Sequence, residues 1–233
     1  MKKFLLFLVS LVYPLGLVLA AGSTSQALIA AAGRNSNVKF QKGLGGSETC
    51  SSYKVGDLAQ GGVVIWVTED GQHGLVAALA DAKVGVYDKF AWGPTDVETN
   101  AEENNPLPIT YTNSDPKENY SGYKNQAIIE AILNWEDNYP AFNAASEYTY
   151  TQDGVTYDDW FLPCSSELSL MYALRKISVD SEVRGVIPDM ATKIYWSSRE
   201  SDNAGAWSLY FSVGGQFDAV KFNTYAVRCV RAF

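Results

Sequence analysis

The sequence has a single histidine, His73, and only three cysteines and three methionines in 233 residues. One histidine excludes a histidine-rich metal site and leaves one candidate for any histidine-dependent triad. No two cysteines form a CxxC, so a structural zinc site is excluded as well. Basic residues are also scarce: 18 Lys and Arg face 26 Asp and Glu, a formal charge of −8. That balance excludes nucleic acid as a main partner, because a phosphate backbone needs a basic footprint. Charged residues make up only 19% and no sustained heptad appears, which excludes a coiled coil. Aromatic residues are plentiful at 13%, too many for a disordered chain.

Only one apolar run is long. Lys2 and Lys3 precede Phe4 to Leu19, which is broken by Ser10, Pro14 and Gly16, and Val18-Leu19-Ala20 offers small residues before Ala21. This is the pattern of a secretory signal cleaved after Ala20, and the run falls short of the ~20 apolar residues a membrane span needs. Cleavage removes two lysines and takes the charge to −10. Residues 21–47, rich in Ala, Gly, Ser and Asn, read as a flexible arm, and residues 48–233 as one domain.

Charge is unevenly spread. Residues 48–163 carry 5 basic and 19 acidic side chains, a net −14, whereas residues 164–233 carry 8 and 7, a net +1. A polyanion could approach only the C-terminal third. Cys50, Cys164 and Cys229 in an exported chain imply one disulfide and one odd thiol, with three pairings open.

The β-branched run Gly62 to Thr68, the turn residues Glu69 to Gln72 and the run His73 to Ala78 predict a β-hairpin. Tyr87 to Tyr120 reads as one long loop region, and Asn138 to Asp159 as a second, Tyr-rich one. Between them Ile128, Ile129, Ile132 and Trp135 give helical spacing over Asn125–Trp135. A second helix is predicted over Ser165–Ile177, just after Pro163. Four short strands follow over Ile194–Ser198, Ala206–Phe211, Gln216–Phe222 and Tyr225–Phe233. Two helices and an antiparallel sheet with long loops make an α+β fold.

Several strings in order resemble the Lcl-type C-terminal domain family from about residue 53 to 233. They are Tyr53-Lys54-Val55-Gly56-Asp57 with Gly71 to Ala78, Asp159-Trp160-Phe161-Leu162-Pro163 with Glu167-Leu168, and Tyr195 to Glu200. Ala206-Trp207, Gly214-Gly215 and the closing Val227 to Phe233 complete the set. The resemblance implies a C-type-lectin-like fold on an exported bacterial protein, related to formylglycine-generating enzymes. Its best-known member is a collagen-like adhesin that trimerises and binds sulfated glycosaminoglycans. This chain lacks the collagen-like stalk, and its acidic middle disfavours a polyanion. Cys164 stands where the family usually has a helix-capping Ser, in register with Glu167. Because the last strand of that fold runs near the core helices, the resemblance implies a Cys164–Cys229 bond, with Cys50 the odd thiol.

For most chemistry-bearing residues a plainer role competes. His73 lies in the hairpin, where a structural hydrogen-bonding role is expected. Asp158, Asp159, Glu167 and Glu200 read as solvated loop acids and caps, since nothing sets two of them at catalytic separation. Asp96, Glu98, Glu102, Glu103, Asp202, Asn203, Asp218 and Asn223 are oxygen ligands of the kind calcium takes, leaving a structural ion open. The Glu-Pro-Asn and Trp-Asn-Asp strings of calcium-dependent sugar lectins are absent.

Lys193, Lys221, Arg199, Arg228 and Arg231 form either an anion patch or ion pairs with Glu200, Asp202 and Asp218. Tyr111, Tyr120, Tyr150 and Tyr157 are either exposed recognition groups or lids over the core. The function expected is an exported, non-enzymatic recognition or adhesion module. It would bind a saccharide or protein surface through its loops, with Tyr111, Tyr120, Tyr150, Tyr157, Lys221, Arg228 and Arg231 as ligand contacts. A formylglycine-generating-type enzyme, an envelope accessory subunit and a homo-oligomer stay open. The mature protein is expected in the secreted, periplasmic or cell-surface space.

Overall fold

The computed structural model describes residues 52–102, 120–180, 187, 190 and 192–233. The expectations for the signal segment, the arm, Cys50 and Tyr111 lie outside the described residues.

The N-terminal half opens with β1 (Leu58–Ala59), β2 (Gly62–Val67), β3 (Gly74–Ala78) and β4 (Phe90–Ala91). Three helices follow, α1 (Ser121–Glu130), α2 (Trp135–Asn138) and α3 (Pro140–Ser146), and then a hairpin of β5 (Tyr150–Gln152) and β6 (Val155–Tyr157). The long helix α4 (Ser165–Asp180) leads to β7 (Ile194–Glu200), β8 (Gly205–Tyr210) and β9 (Gly215–Val220). The chain closes with β10 (Thr224–Tyr225) and β11 (Val230–Ala232). The fold is α+β, with four antiparallel sheets among the described residues: β1-β2-β3-β11, β7-β8-β9, β4-β10 and β5-β6.

The predicted hairpin is present as β2 and β3, with a bulge between Val64 and Trp66. Its turn is held by Thr68, whose hydroxyl donates to Asp70 Oδ1 at 2.5 Å and accepts from the His73 backbone N–H at 3.2 Å. Side chains on a strand alternate between faces, and both faces of this hairpin are buried. Val64, Val76 and Ala78 enter a cluster with Trp92, Phe142 and Trp196. Val63, Ile65, Leu75 and Ala77 enter another with Phe161, Leu168, Met171 and Leu209. The apolar run in β2 therefore reflects a sheet covered on two sides.

Three expectations need correction. The structure has four helices among the described residues, not two, and the first begins at Ser121 and ends at Glu130 rather than Trp135. The Tyr-rich stretch 138–159 holds α3 and the β5–β6 hairpin, because Tyr139 and Phe142 pack edge-on against Trp92 and anchor the short helix. The last predicted strand is divided. β10 pairs with β4, while β11 returns to β3 with Val230 opposite Ala77. The closing segment thus pairs with β7 only through a parallel bridge between Ala226 and Tyr195 and then completes the N-terminal sheet.

At the start of α4 the capping role falls to Glu167, which accepts from the Cys164 backbone N–H at 2.8 Å and the Gly122 N–H at 3.2 Å. That is the reciprocal half of a capping box, present although Cys164 brings no hydroxyl to the capping position. Cys164 and Cys229 are both buried and stand as separate thiols.

Candidate functional site

The expected ligand residues fall into three environments. Tyr120 is buried, with its ring edge-on to Trp66 at 5.9 Å. It is a core residue. Lys221 is 0% exposed and points inward between Glu200 Oε1, the Val97 carbonyl (2.7 Å) and the Asn203 carbonyl (3.0 Å). Glu200 is itself clamped, accepting through Oε2 from Thr99 N (2.8 Å), Thr99 Oγ1 (3.0 Å) and Asn100 N (2.9 Å). Arg228 is 1% exposed and donates through Nε to Asp81 at 2.7 Å, with Nη1 on the Ala78 carbonyl at 3.0 Å. Asp81 also receives Lys193 Nζ at 2.5 Å and the Tyr195 hydroxyl at 3.1 Å. In this conformation both cations are engaged inside the protein, where an external anion cannot reach them.

Tyr150, Tyr157 and Arg231 do come together. Tyr150 faces Tyr157 across the β5–β6 ladder, and the Arg231 guanidinium lies over the Tyr157 ring, 4.9 Å from its centre. Arg231 Nε donates to Asp159 Oδ1, and Nη1 reaches the Gln60 carbonyl and Oε1 at 3.4 Å. All three residues are half-buried, and Arg231 is paired with a carboxylate, so this rim presents no net positive charge.

The sequence reading missed a cleft of about 280 Å³ between the start of the first long loop and helices α2 and α3. Its apolar wall is made by Val84, Phe90, Ala91 and Pro140, and its polar groups are Tyr87, Lys89, Glu136 and Asn143. Val84 and Tyr87 exchange backbone hydrogen bonds at 3.1 Å around a two-residue turn. Gly85 opens that turn at φ 59°, a left-handed conformation suited to glycine. The turn holds Val86 and Tyr87 out at 91% and 68% exposure.

Below the cleft the scaffold is tied by hydrogen bonds and packed aromatic rings. Phe90 accepts a hydrogen bond through its carbonyl from Trp196 Nε1 at 2.8 Å, and Trp92 Nε1 donates to the Ser197 carbonyl at 2.8 Å. Trp92, Tyr139 and Phe142 form a mutually edge-on trio. Gly93 lets the chain pass Tyr139 closely, since a Cβ there would lie 2.5 Å from the ring. Among the described residues the side chains of Tyr87, Lys89, Glu136 and Asn143 make no hydrogen bond or ion pair. Their polar ends are available to a ligand. The only available signal in the sequence was the placement of Tyr87 and Lys89 at the edge of a long loop.

No group of three or more His, Cys, Asp or Glu residues is set to hold a metal ion among the described residues. Of the oxygen ligands considered for calcium, Asp202 caps a local turn through Ala204 N and Gly205 N, and Asp218 accepts from Ser201 Oγ. Glu103 lies outside the described residues.

The interior beside the cluster shared by Tyr148 and Cys229 carries a pH signature. Burial pushes the Tyr148 hydroxyl up to about 12, aided by neighbouring Cys229 and opposed by Arg228. Burial also raises Tyr195, and Asp81 adds to the rise; burial likewise raises the Cys229 thiol. A group kept protonated by the fold ionises first in the unfolded chain, so each of these costs stability as pH rises past its ordinary value. Tyr148 alone should remove about 1.4 kcal/mol per pH unit between pH 10 and about 12. Urea unfolding of the wild type and Tyr148→Phe across that window checks this. The variant should show a shallower alkaline loss, and equal slopes would disprove the role of Tyr148.

Comparison with known proteins adds little. No family model and no curated protein matches this chain. Among solved structures it is similar to a fimbrial protein from Bacteroides ovatus, at 18% identity and a TM-score of 0.43. The match covers 72% of this chain, which spans 43% of that one.

Proposed function

We propose that this protein is an exported, non-enzymatic recognition module that binds a neutral saccharide at the cleft between Tyr87 and α3. The carrying observation is the chemistry of that cleft: an apolar wall, an exposed aromatic lip, and an amide, a carboxylate and an ammonium with no described protein partner. A pyranose has an apolar face that packs on aromatic and aliphatic groups, and hydroxyls that accept from an ammonium or amide and donate to a carboxylate. Lys89 and Glu136 offset each other, which favours an uncharged ligand over a sulfated one. The acidic middle of the chain favours the same choice.

The resemblance to the Lcl-type domain supports this reading with a C-type-lectin-like fold and an extracytoplasmic location, reached by cleavage after Ala20. An oxidising compartment would favour a Cys164–Cys229 bond in the mature form.

A glycan array probed with residues 21–233, with and without calcium and at two salt concentrations, tests the proposal. Salt-tolerant binding to neutral glycans is expected, with or without calcium. Tyr87→Ala should weaken it about tenfold, equivalent to about 1.4 kcal/mol, without changing the fold. Binding restricted to sulfated chains and lost at higher salt would overturn the proposal in favour of a polyanion adhesin. Binding to no glycan would overturn it too.

A further inference from the structure

The elements that carry the cleft decide which kinds of surface it offers. Side chains on an extended strand alternate between faces, and Lys89, Phe90 and Ala91 follow that rule: exposed, buried, half-buried. Phe90 joins the core cluster of Trp92 and Phe142, so Lys89 and Ala91 are the side chains that this stretch turns to the cleft. On α3, Pro140 and Asn143 are three residues apart and share one helix face. Glu136 comes from the first turn of α2. The apolar wall of Val84, Ala91 and Pro140 is therefore aliphatic, and the ring left for a ligand is that of Tyr87 at the lip. The volume of about 280 Å³ lies just under the roughly 300–1,000 Å³ of clefts that enclose drug-sized ligands. One sugar unit with its substituent fills it.

Resting on the saccharide reading of this cleft, we infer that the unit it selects is an N-acetylhexosamine, held by its acetamido group. The three parts of that group each meet a matching part of the lining. The methyl packs on the aliphatic carbon of Val84, Ala91 and Pro140, which removes apolar surface of both partners from water. The carbonyl accepts from the Lys89 ammonium, and the N–H donates to the Glu136 carboxylate. Both bonds are charge-assisted, and so stronger than bonds between neutral groups. The sugar ring then lies against Tyr87, with the Asn143 amide left for a ring hydroxyl. Other substituents leave part of this lining unmatched. A hydroxyl brings no methyl to the wall. A free amine brings none either, and sets an ammonium beside Lys89. A carboxylate or sulfate sets an anion beside Glu136, so the same lining discriminates against acidic sugars.

Chemical-shift titration of residues 21–233 with single sugars tests this, read at the Ala91 and Asn143 amides. The probes are N-acetylglucosamine and N-acetylgalactosamine, set against glucose, galactose and glucosamine. The acetylated pair should bind at least about tenfold more tightly than the parent hexoses. Glu136→Ala should cut that ratio to about threefold or less, and Glu136→Gln, which keeps a carbonyl acceptor, should restore part of it. Equal binding of acetylated sugars and hexoses overturns this inference while the saccharide reading of the cleft stands. Tightest binding of glucosamine overturns it too, because Glu136 then reads a positive charge. A ratio that survives intact in Glu136→Ala removes the acceptor from the acetamido N–H, and the inference with it. If no sugar shifts these amides, the saccharide reading itself fails and this inference falls with it.

Discussion

Lys221→Ala is expected to destabilise the protein by about 3–5 kcal/mol, among the largest losses a single substitution can cause here. For a domain of this size that is on the order of 10 °C in Tm. The reason lies in what remains behind. Glu200 keeps its three donors from Thr99 and Asn100 but loses its cation, and the carbonyls of Val97 and Asn203 lose their donor. Lys221 also lies 5.0 Å over the Trp92 ring, so its removal loosens the aromatic trio under the cleft. The double variant Lys221→Met, Glu200→Gln keeps the volume and removes both charges, and should recover much of the loss. Thermal and urea unfolding of the three proteins measures this. A Lys221→Ala variant as stable as wild type would mean that the lysine is not held in the buried pair.

The second large effect belongs to Asp81, whose carboxylate gathers Arg228, Lys193 and Tyr195. Its partners differ in how well water could replace it. The Lys193 side chain is 40% exposed and can turn to solvent, so losing that contact costs little. The Arg228 side chain is 1% exposed and cannot. Asp81→Ala should therefore cost about 3–4 kcal/mol, most of it because the buried Arg228 guanidinium loses this carboxylate. Asp81→Asn keeps an acceptor on the site and should cost about 1–2 kcal/mol. Adding Arg228→Leu to Asp81→Ala should restore part of the stability. Urea unfolding decides it: a loss for Asp81→Ala no larger than that of a surface pair, about 1 kcal/mol, would refute the account.

Both predictions turn on cations, Lys221 and Arg228, that the sequence left open between an anion patch and internal ion pairs. Each cation lies in a strand-rich segment with acids close by in sequence. Lys221 does pair with one of these, Glu200, but Arg228 pairs with Asp81 and Arg231 with Asp159. Those partners are 147 and 72 positions away, and only the return of β11 to β3 and the approach of the segment before α4 bring them near. Charge counts along the chain could show a nearly neutral C-terminal third. They could not show which charges were inside.

Elements specified by local chemistry were legible. The β2–β3 hairpin follows from a β-branched run, a Glu-Asp-Gly turn and a second apolar run, and α4 from its helical spacing after Pro163. The α+β class follows from the same patterns. Short elements held by distant contacts were not legible. Helices α2 and α3, of 4 and 7 residues, are too short to be stable alone and depend on packing such as that of Tyr139 and Phe142 against Trp92.

The division follows the range of the forces involved. Periodicity, turn residues and charge balance act within a few positions, so the sequence by itself determined the class of fold, the main hairpin, the longest helix and the acidic character. Burial of a charge, closure of a sheet and the walls of a cleft depend on residues far apart in the chain. Tertiary structure alone decided that Lys221 and Arg228 lie in the core. It also decided that Tyr150, Tyr157 and Arg231 share a rim, and that Tyr87, Lys89, Glu136 and Asn143 surround one cleft.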